Sequence, residues 1–98
     1  MDYKIEWSPT ARLDFRDLIF FISEENSSAA NHFRNKILNH VIQVAKFPKS
    51  GRVVPEFQDE NIREIIQKPY RIVYRIKEEK RILEIVRIWH SARSIPEI

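Results

Sequence analysis

Three residues in the second half of the chain have side chains that could together cleave a phosphodiester bond. Arg71 lies at the start of one predicted strand and His90 at the end of the next, and antiparallel pairing would bring both to one rim of a sheet. The arginine could stabilise a negatively charged transition state while the histidine donates or accepts a proton. Glu56, in the preceding loop, could act as base toward a ribose 2′-hydroxyl, which would restrict cleavage to RNA.

His90 and Glu56 also have a simpler interpretation. A histidine at a strand end is commonly a surface residue, and a glutamate in a charged loop is commonly solvated. We expect no metal ion or other cofactor, because the three histidines are not spaced as a ligand set and the chain has no cysteine.

Further cations in the same half of the chain could contact nucleic-acid phosphates. Seven of the ten arginines lie from Arg52 onward, and planar guanidinium groups bind phosphates bidentately. The alternative is that these cations occupy solvent faces, paired in part with glutamates on neighbouring strands. The candidates for RNA contact are Arg52, Arg63, Arg75, Lys77 and Arg93.

Size and composition limit the class of protein. The 98 residues, 43% of them hydrophobic, suffice for one domain, which we place at residues 1–98. A charged fraction of 32% and the lack of a long apolar run argue against a membrane span. The first residues do not resemble a secretory signal. Together with the absence of cysteine, these features predict a cytoplasmic protein with a net charge of +3.

The elements that must position these residues begin with a strand and two helices. Apolar and charged residues alternate from Tyr3 to Trp7, which predicts a short strand. Ser8-Pro9 is a typical helix start, and apolar residues then recur at helical spacing up to Ile22. Residues 24–28 break the pattern, and a second helix follows that ends near Phe47. So short a turn makes the helices antiparallel neighbours.

The second half of the chain predicts a loop at residues 49–61 and then three strands at 62–67, 71–77 and 82–89. The short connections between the strands require antiparallel hairpins. Alternation along the middle strand separates its apolar residues, which should pack under the helices, from three cations on the other face. On the last strand, alternation places Leu83, Ile85, Arg87 and Trp89 on one face.

The order of elements indicates an α+β fold in two layers. An antiparallel helical hairpin would pack on one face of a mostly antiparallel four-stranded sheet, in the order β-α-α-β-β-β. The opposite face of the sheet would remain concave and partly open. Phe20 and Phe21, off the inward stripe of the first helix, are candidates for contact with a partner, unless they pack in the core.

Several segments carry a family resemblance. They are IREIIQKPYRIVYRI at residues 62–76, IVRIWHSAR at 85–93, Ser8-Pro9-Thr10-Ala11 at the first helix, and Pro48, Gly51 and Arg52 after the second. In these segments the chain resembles the RelE/ParE toxins of type II toxin–antitoxin systems, a family also described as plasmid stabilisation proteins. The resemblance covers essentially the whole chain, with the elements in the same order.

The resemblance implies a toxin that inhibits the growth of its own cell unless a cognate antitoxin binds it. One branch of the family consists of mRNA interferases, which are endoribonucleases that cut mRNA in the ribosomal A site. The other branch, of the ParE type, inhibits DNA gyrase and is not a nuclease. In the ribonuclease branch, Arg71 matches the arginine that stabilises the transition state, His90 matches a general acid, and Glu56 lies near the general base.

The C-terminal tail departs from the ribonuclease pattern. Several ribonuclease members end with a catalytic tyrosine, and residues 91–98 contain none. We expect ribosome-dependent mRNA cleavage, with the ribosome and mRNA as partners besides the antitoxin. Inhibition of DNA gyrase and an inactive antitoxin-binding module are the alternatives.

Overall fold

A computed structural model of the protein describes residues 2–94 and 98. The order of elements and the two-layer α+β arrangement confirm the predicted fold. Each of the four predicted strands is found within one residue of its expected ends. The elements are β1 (Lys4–Trp7), α1 (Pro9–Ser23), α2 (Ser27–Lys46), a 3₁₀ turn (Pro48–Ser50), β2 (Arg52–Val53), β3 (Ile62–Gln67), β4 (Tyr70–Lys77) and β5 (Ile82–His90).

The sheet has five strands where four were predicted, in the order β1-β5-β4-β3-β2. Strand β1 runs parallel to β5, and the other pairings are antiparallel. The additional strand, β2, lies in the segment that was predicted as a loop, and it pairs with β3 through Arg52 and Val53. Two residues are too few to produce an alternating pattern, so the sequence did not reveal this strand.

A side chain caps the start of each helix, and the cap of α1 is the predicted Ser8. The Ser8 hydroxyl accepts a hydrogen bond from the backbone N–H of Ala11 at 3.0 Å and donates to the carbonyl of Val86 on β5 at 3.1 Å. Asn26 caps α2 by accepting from the N–H of Ala29 at 2.9 Å. The first cap therefore fixes both the start of α1 and its position on the sheet.

The main core lies between the helical hairpin and the sheet. The apolar residues of β4 face the helices, as their alternation predicted. Within residues 2–94 and 98, no helix has the length and apolar character needed to cross a membrane. The buried residues of this core are Ala11, Leu18, Ile37, Val41, Val44, Ile65, Ile72, Tyr74, Ile76, Leu83, Ile85 and Ile88.

The face of the sheet away from the helices is covered in part, although it was predicted to be open. Val54 is fully buried, and Phe57 packs beside it on the sheet. Residues 54–61 therefore fold back over this face because their apolar side chains need a partner. The second core that results contains Val54, Ile62, Val73, Val86 and Trp89.

A bulge in β5 reverses the predicted alternation of its second half. Val73 pairs with Arg87, but the next residue of β4, Tyr74, pairs with Ile85, so Val86 is an extra residue in the ladder. Beyond such a bulge each side chain changes face. The prediction that Trp89 shares a face with Ile85 is therefore wrong, because Trp89 packs in the second core.

A buried tyrosine fixes the turn between α2 and β2. The hydroxyl of Tyr74 accepts from the N–H of Gly51 at 3.1 Å and donates to the carbonyl of Pro48 at 2.5 Å. Burial raises the pKa of Tyr74 to about 12. A Cβ atom on Gly51 would lie 2.3 Å from the tyrosine oxygen and 2.8 Å from the carbonyl oxygen of Glu64. Glycine is needed here because the sheet approaches so closely.

We predict that Gly51→Ala lowers the free energy of unfolding by about 2–3 kcal/mol, because the added methyl group overpacks this contact. Urea unfolding followed by circular dichroism measures the change. Tyr74→Phe, which removes one of the clashing atoms, should cost about 1 kcal/mol alone. The double variant should lose less than the sum of the two changes. An alanine variant as stable as the original would contradict this account of the turn.

Candidate functional site

Four charged residues form a continuous network on the sheet face away from the helices. The two terminal nitrogens of Arg71 donate to the two carboxylate oxygens of Glu56, at 3.0 and 2.9 Å. Arg71 Nε donates to Glu64 Oε1 at 2.6 Å, and Arg52 Nε donates to Glu64 Oε2 at 2.5 Å. Each nitrogen of the Arg71 guanidinium group thus donates to a carboxylate.

The strand register places this network. Ile66 pairs with Arg71 and Glu64 pairs with Val73, so Glu64 and Arg71 are diagonal neighbours on one face. Arg52 on β2 lies opposite Glu64. Glu56 comes from the segment that covers the second core, which brings its carboxylate down onto Arg71.

Burial makes the pairing of these charges necessary. The side chain of Glu64 is 0% exposed and that of Arg71 is 9% exposed. A buried carboxylate is costly unless it is paired and hydrogen-bonded, and here it accepts from two arginines. The guanidinium group of Arg71 also lies over the ring of Trp89, 5.1 Å from its centroid. Glu56 lies at the solvent end of the network, with 40% of its side chain exposed.

The network shifts the proton affinities of its members. Hydrogen bonding from Arg71 lowers the pKa of Glu56 to about 2. The pKa of Arg71 is raised, chiefly by its hydrogen bonds to Glu56 and also by those to Glu64. At neutral pH the pair is therefore fully ionised, and the Glu56 carboxylate is a weak base.

The structure brings Arg71 and Glu56 together, but it places His90 elsewhere. Arg71 pairs with Trp89 on β5, whereas His90 pairs with Tyr70. The ring of His90 meets Tyr70 edge-on at 5.5 Å between centroids, and Tyr70 in turn contacts Phe33 of α2. His90 therefore lies on the helix side of the sheet and Arg71 on the other side, so the predicted meeting of these two residues at one rim is not found.

The bulge at Val86 is the physical reason for this separation. With regular alternation from Ile85, residue 90 would fall on the same face as Arg71, as the sequence suggested. The extra residue in the ladder turns every later side chain of β5 to the other face. His90 is displaced from the site by that change alone.

Most of the cations predicted to contact RNA are engaged within the protein. Arg52 binds Glu64, and Arg63 donates to two backbone carbonyls between α2 and β2, at 3.1 and 2.9 Å. Arg75 and Lys77 lie 3.5 and 3.6 Å from a carboxylate oxygen of Glu84. The alternative interpretation of these last two cations, pairing with a glutamate across strands, is the one that the structure supports.

A groove of about 470 Å³ lies between α1 and the end of β5. His90 and Arg93 line it, together with Phe21 from α1. Asp14 forms one wall of the groove. Its carboxylate accepts a hydrogen bond from Arg87 Nε at 2.8 Å and another from the backbone N–H of Ile88 at 2.9 Å. Two of the predicted site residues thus belong to this groove and not to the network. Among residues 2–94 and 98, no three His, Asp or Glu side chains are grouped to hold a metal ion.

Glu64 is the central residue of the network, although the sequence suggested only that strand glutamates pair with neighbouring cations. Its position between Ile62 and Ile66 on one face of β3 was the available signal. A charge between two isoleucines on a strand face indicates a buried carboxylate that needs a partner.

Residues 5–95 match the family model described as the ParE toxin of the type II toxin–antitoxin system, parDE. The chain belongs to the ParE toxin family. It is the toxin component of a type II toxin–antitoxin system, and the predicted family and general function are confirmed. A search of curated protein sequences gave no match.

Solved structures of related toxins show the same fold. The RelBE2 toxin–antitoxin complex of Mycobacterium tuberculosis aligns with a TM-score of 0.66 at 19% identity, covering 95% of each chain. The chromosomal ParDE system of P. aeruginosa aligns with a TM-score of 0.70 at 16% identity, covering 90% of this toxin and 95% of that chain. The isolated RelE toxin of E. coli aligns with a TM-score of 0.66 at 18% identity, and the alignment covers 94% of this toxin and 87% of that chain.

We predict that Glu64→Gln lowers the free energy of unfolding by about 3 kcal/mol, because it leaves Arg71 buried without its inner carboxylate. Urea unfolding at neutral pH measures the loss. Arg52→Gln is the matched control, because Arg52 binds the same carboxylate but its own side chain is 59% exposed, and it should cost about 1 kcal/mol or less. Equal losses in the two variants would show that burial does not determine the strength of this network.

We also predict a pH dependence that depends on Glu56. Its pKa is lowered on folding, so the stability that it adds is fully present above its ordinary pKa of 4.5 and is lost as the pH falls toward about 2. The difference in unfolding free energy between the original protein and Glu56→Gln should therefore be constant near neutral pH. It should decrease as the pH falls below 4.5. A difference that does not change with pH would contradict the ionic character of the contact.

Proposed function

We propose that this toxin acts by inhibiting DNA gyrase and not by cleaving mRNA. The observation that carries the proposal is the state of Arg71, whose guanidinium nitrogens are all bound to Glu56 and Glu64. An arginine that stabilises a phosphodiester transition state must present its donors to the phosphate. Here the donors face two carboxylates, one of which is fully buried.

The other parts of the ribonuclease scheme also lack support. A general base works best with a pKa near the working pH, whereas the pKa of Glu56 is about 2. His90, the expected acid, lies on the opposite face of the sheet. The cations expected to bind RNA are largely paired, so few remain to neutralise rRNA phosphates. Residues 91–98 contain no tyrosine that could match the catalytic one of several ribonuclease members.

The family match supports the gyrase alternative. The matching model is that of the ParE toxins, and inhibition of gyrase is the activity that the resemblance implied for this branch. In this interpretation the Arg71 network has a structural role, in which it anchors the segment of residues 54–61 to the sheet. The toxin then acts through its surface, as a protein that binds another protein.

A cognate antitoxin is the second partner that we propose. Related toxins have been solved with their antitoxins, as in the RelBE2 complex and in E. coli RelE with an antitoxin RelB peptide. In this toxin, Phe20 and Phe21 are 65% and 67% exposed, so neither packs in the core. Exposed aromatic side chains of this kind mark an interaction surface, as the sequence analysis suggested.

Two assays with the purified toxin separate the activities. We expect DNA supercoiling by gyrase to fall as toxin is added, while primer extension shows intact mRNA in programmed ribosomes. Arg71→Lys keeps the charge but loses the bidentate contact, and it should reduce inhibition of gyrase only as far as it reduces the folded fraction. New cuts within A-site codons that disappear in Arg71→Ala, with gyrase unaffected, would overturn the proposal in favour of mRNA cleavage.

A further inference from the structure

The outer face of α1 carries a stripe of side chains that the fold itself does not use. Leu13 is 50% exposed and Phe20 is 65% exposed. They are seven residues apart, which is close to two helical turns, so they lie one above the other on the same face. The opposite face of α1 supplies Ala11 and Leu18 to the main core. Among the described residues, 2–94 and 98, the helix therefore has an apolar surface on two sides, and only the side with Ala11 and Leu18 packs on the rest of the fold.

Two opposite charges lie between these apolar residues. Arg16 and Asp17 are 70% and 69% exposed, and they contact each other at 2.9 Å on the surface of the helix. The positions 13, 16, 17 and 20 follow the spacing i, i+3, i+4, i+7, so the four side chains lie on one face of the helix.

This stripe is complementary to itself. The midpoint between Leu13 and Phe20 falls between Arg16 and Asp17. If a second copy of α1 packs antiparallel about a two-fold axis at that midpoint, each leucine faces a phenylalanine. Each arginine then faces an aspartate of the other copy. A two-fold interface requires a surface that is complementary to itself in this way.

We propose that two copies of the toxin associate through the outer faces of their α1 helices in an antiparallel pair. One helix face buries less area than a standard stable interface, so the association is weak and reversible. Because Phe20 packs on Leu13 of the other copy, pairing hides an aromatic side chain that the free toxin otherwise exposes to water. The inference is independent of the target of the toxin, since it uses no residue of the Arg71 network. It shares Phe20 with the antitoxin contact proposed above, so a second copy and the antitoxin would compete for that side chain.

Sedimentation velocity of the purified toxin over a wide range of concentration tests the pairing. We expect the average mass to rise from that of a monomer toward that of a dimer. Phe20→Ala should raise the dissociation constant by roughly tenfold or more, because it removes the aromatic partner of Leu13 from both apolar contacts of the pair. Phe47→Ala is the matched control, since Phe47 is also 67% exposed but lies outside α1, and it should leave the dissociation constant unchanged.

Charge reversal gives a sharper test. In a pair of Arg16→Asp chains, the acidic residues at positions 16 and 17 of one copy face the same two acidic residues of the other. In a pair of Asp17→Arg chains, the residues that face each other are all basic. Each variant alone should therefore pair more weakly than the original protein. Mixed in equal amounts, the two variants regain complementary charges and should form a heterodimer. The double variant Arg16→Asp/Asp17→Arg keeps the net charge and should pair as the original does. Circular dichroism confirms that each variant is folded.

Three results would overturn the proposal. The first is a toxin that remains monomeric at every concentration. The second is a mixture of the two charge-reversed variants with no more dimer than either variant alone. The third is a Phe20→Ala variant that pairs as tightly as the original protein and yet loses antitoxin binding, which would assign Phe20 to the antitoxin alone. None of these results bears on inhibition of gyrase, so the two proposals can fail separately.

Discussion

The contact between Glu64 and Arg71 is the constraint on which the second face of the sheet depends. A carboxylate with no exposure to water must be held by cations, and the two arginines that hold it come from the neighbouring strands on either side. Arg71 then extends its remaining donors to Glu56, which belongs to the segment after β2. The buried charge therefore fixes the position of Trp89 beneath it and of the covering segment above it.

Much of the fold followed from short patterns in the sequence, because each of them reflects a local requirement of the backbone. Ser8-Pro9 indicated the start of α1, since a hydroxyl cap and a proline satisfy the first turn of a helix. Alternation along β4 identified the residues that face the helices. These patterns need only the nearest neighbours in the chain, so one sequence was enough.

The features that the sequence did not reveal depend on contacts between distant residues. Strand β2 is two residues long and exists because Glu64 and Arg63 lie beside it. The covering of the second face depends on Val54 and Phe57 finding apolar partners on other strands. For the site, Arg71 and Glu56 were selected because of their residue types. Whether they bind a substrate or each other is a matter of geometry, and the structure places them in direct contact.

The extra residue at Val86 has a consequence beyond this toxin. Side chains along a strand point alternately to the two faces of a sheet. One inserted or deleted residue therefore moves every later side chain of that strand to the opposite face. His90 and its neighbours could be moved to the other face of the sheet without replacing any of them. In a fold of this kind, the gain or loss of a single residue in β5 offers a short evolutionary route between a face that carries a histidine and one that does not.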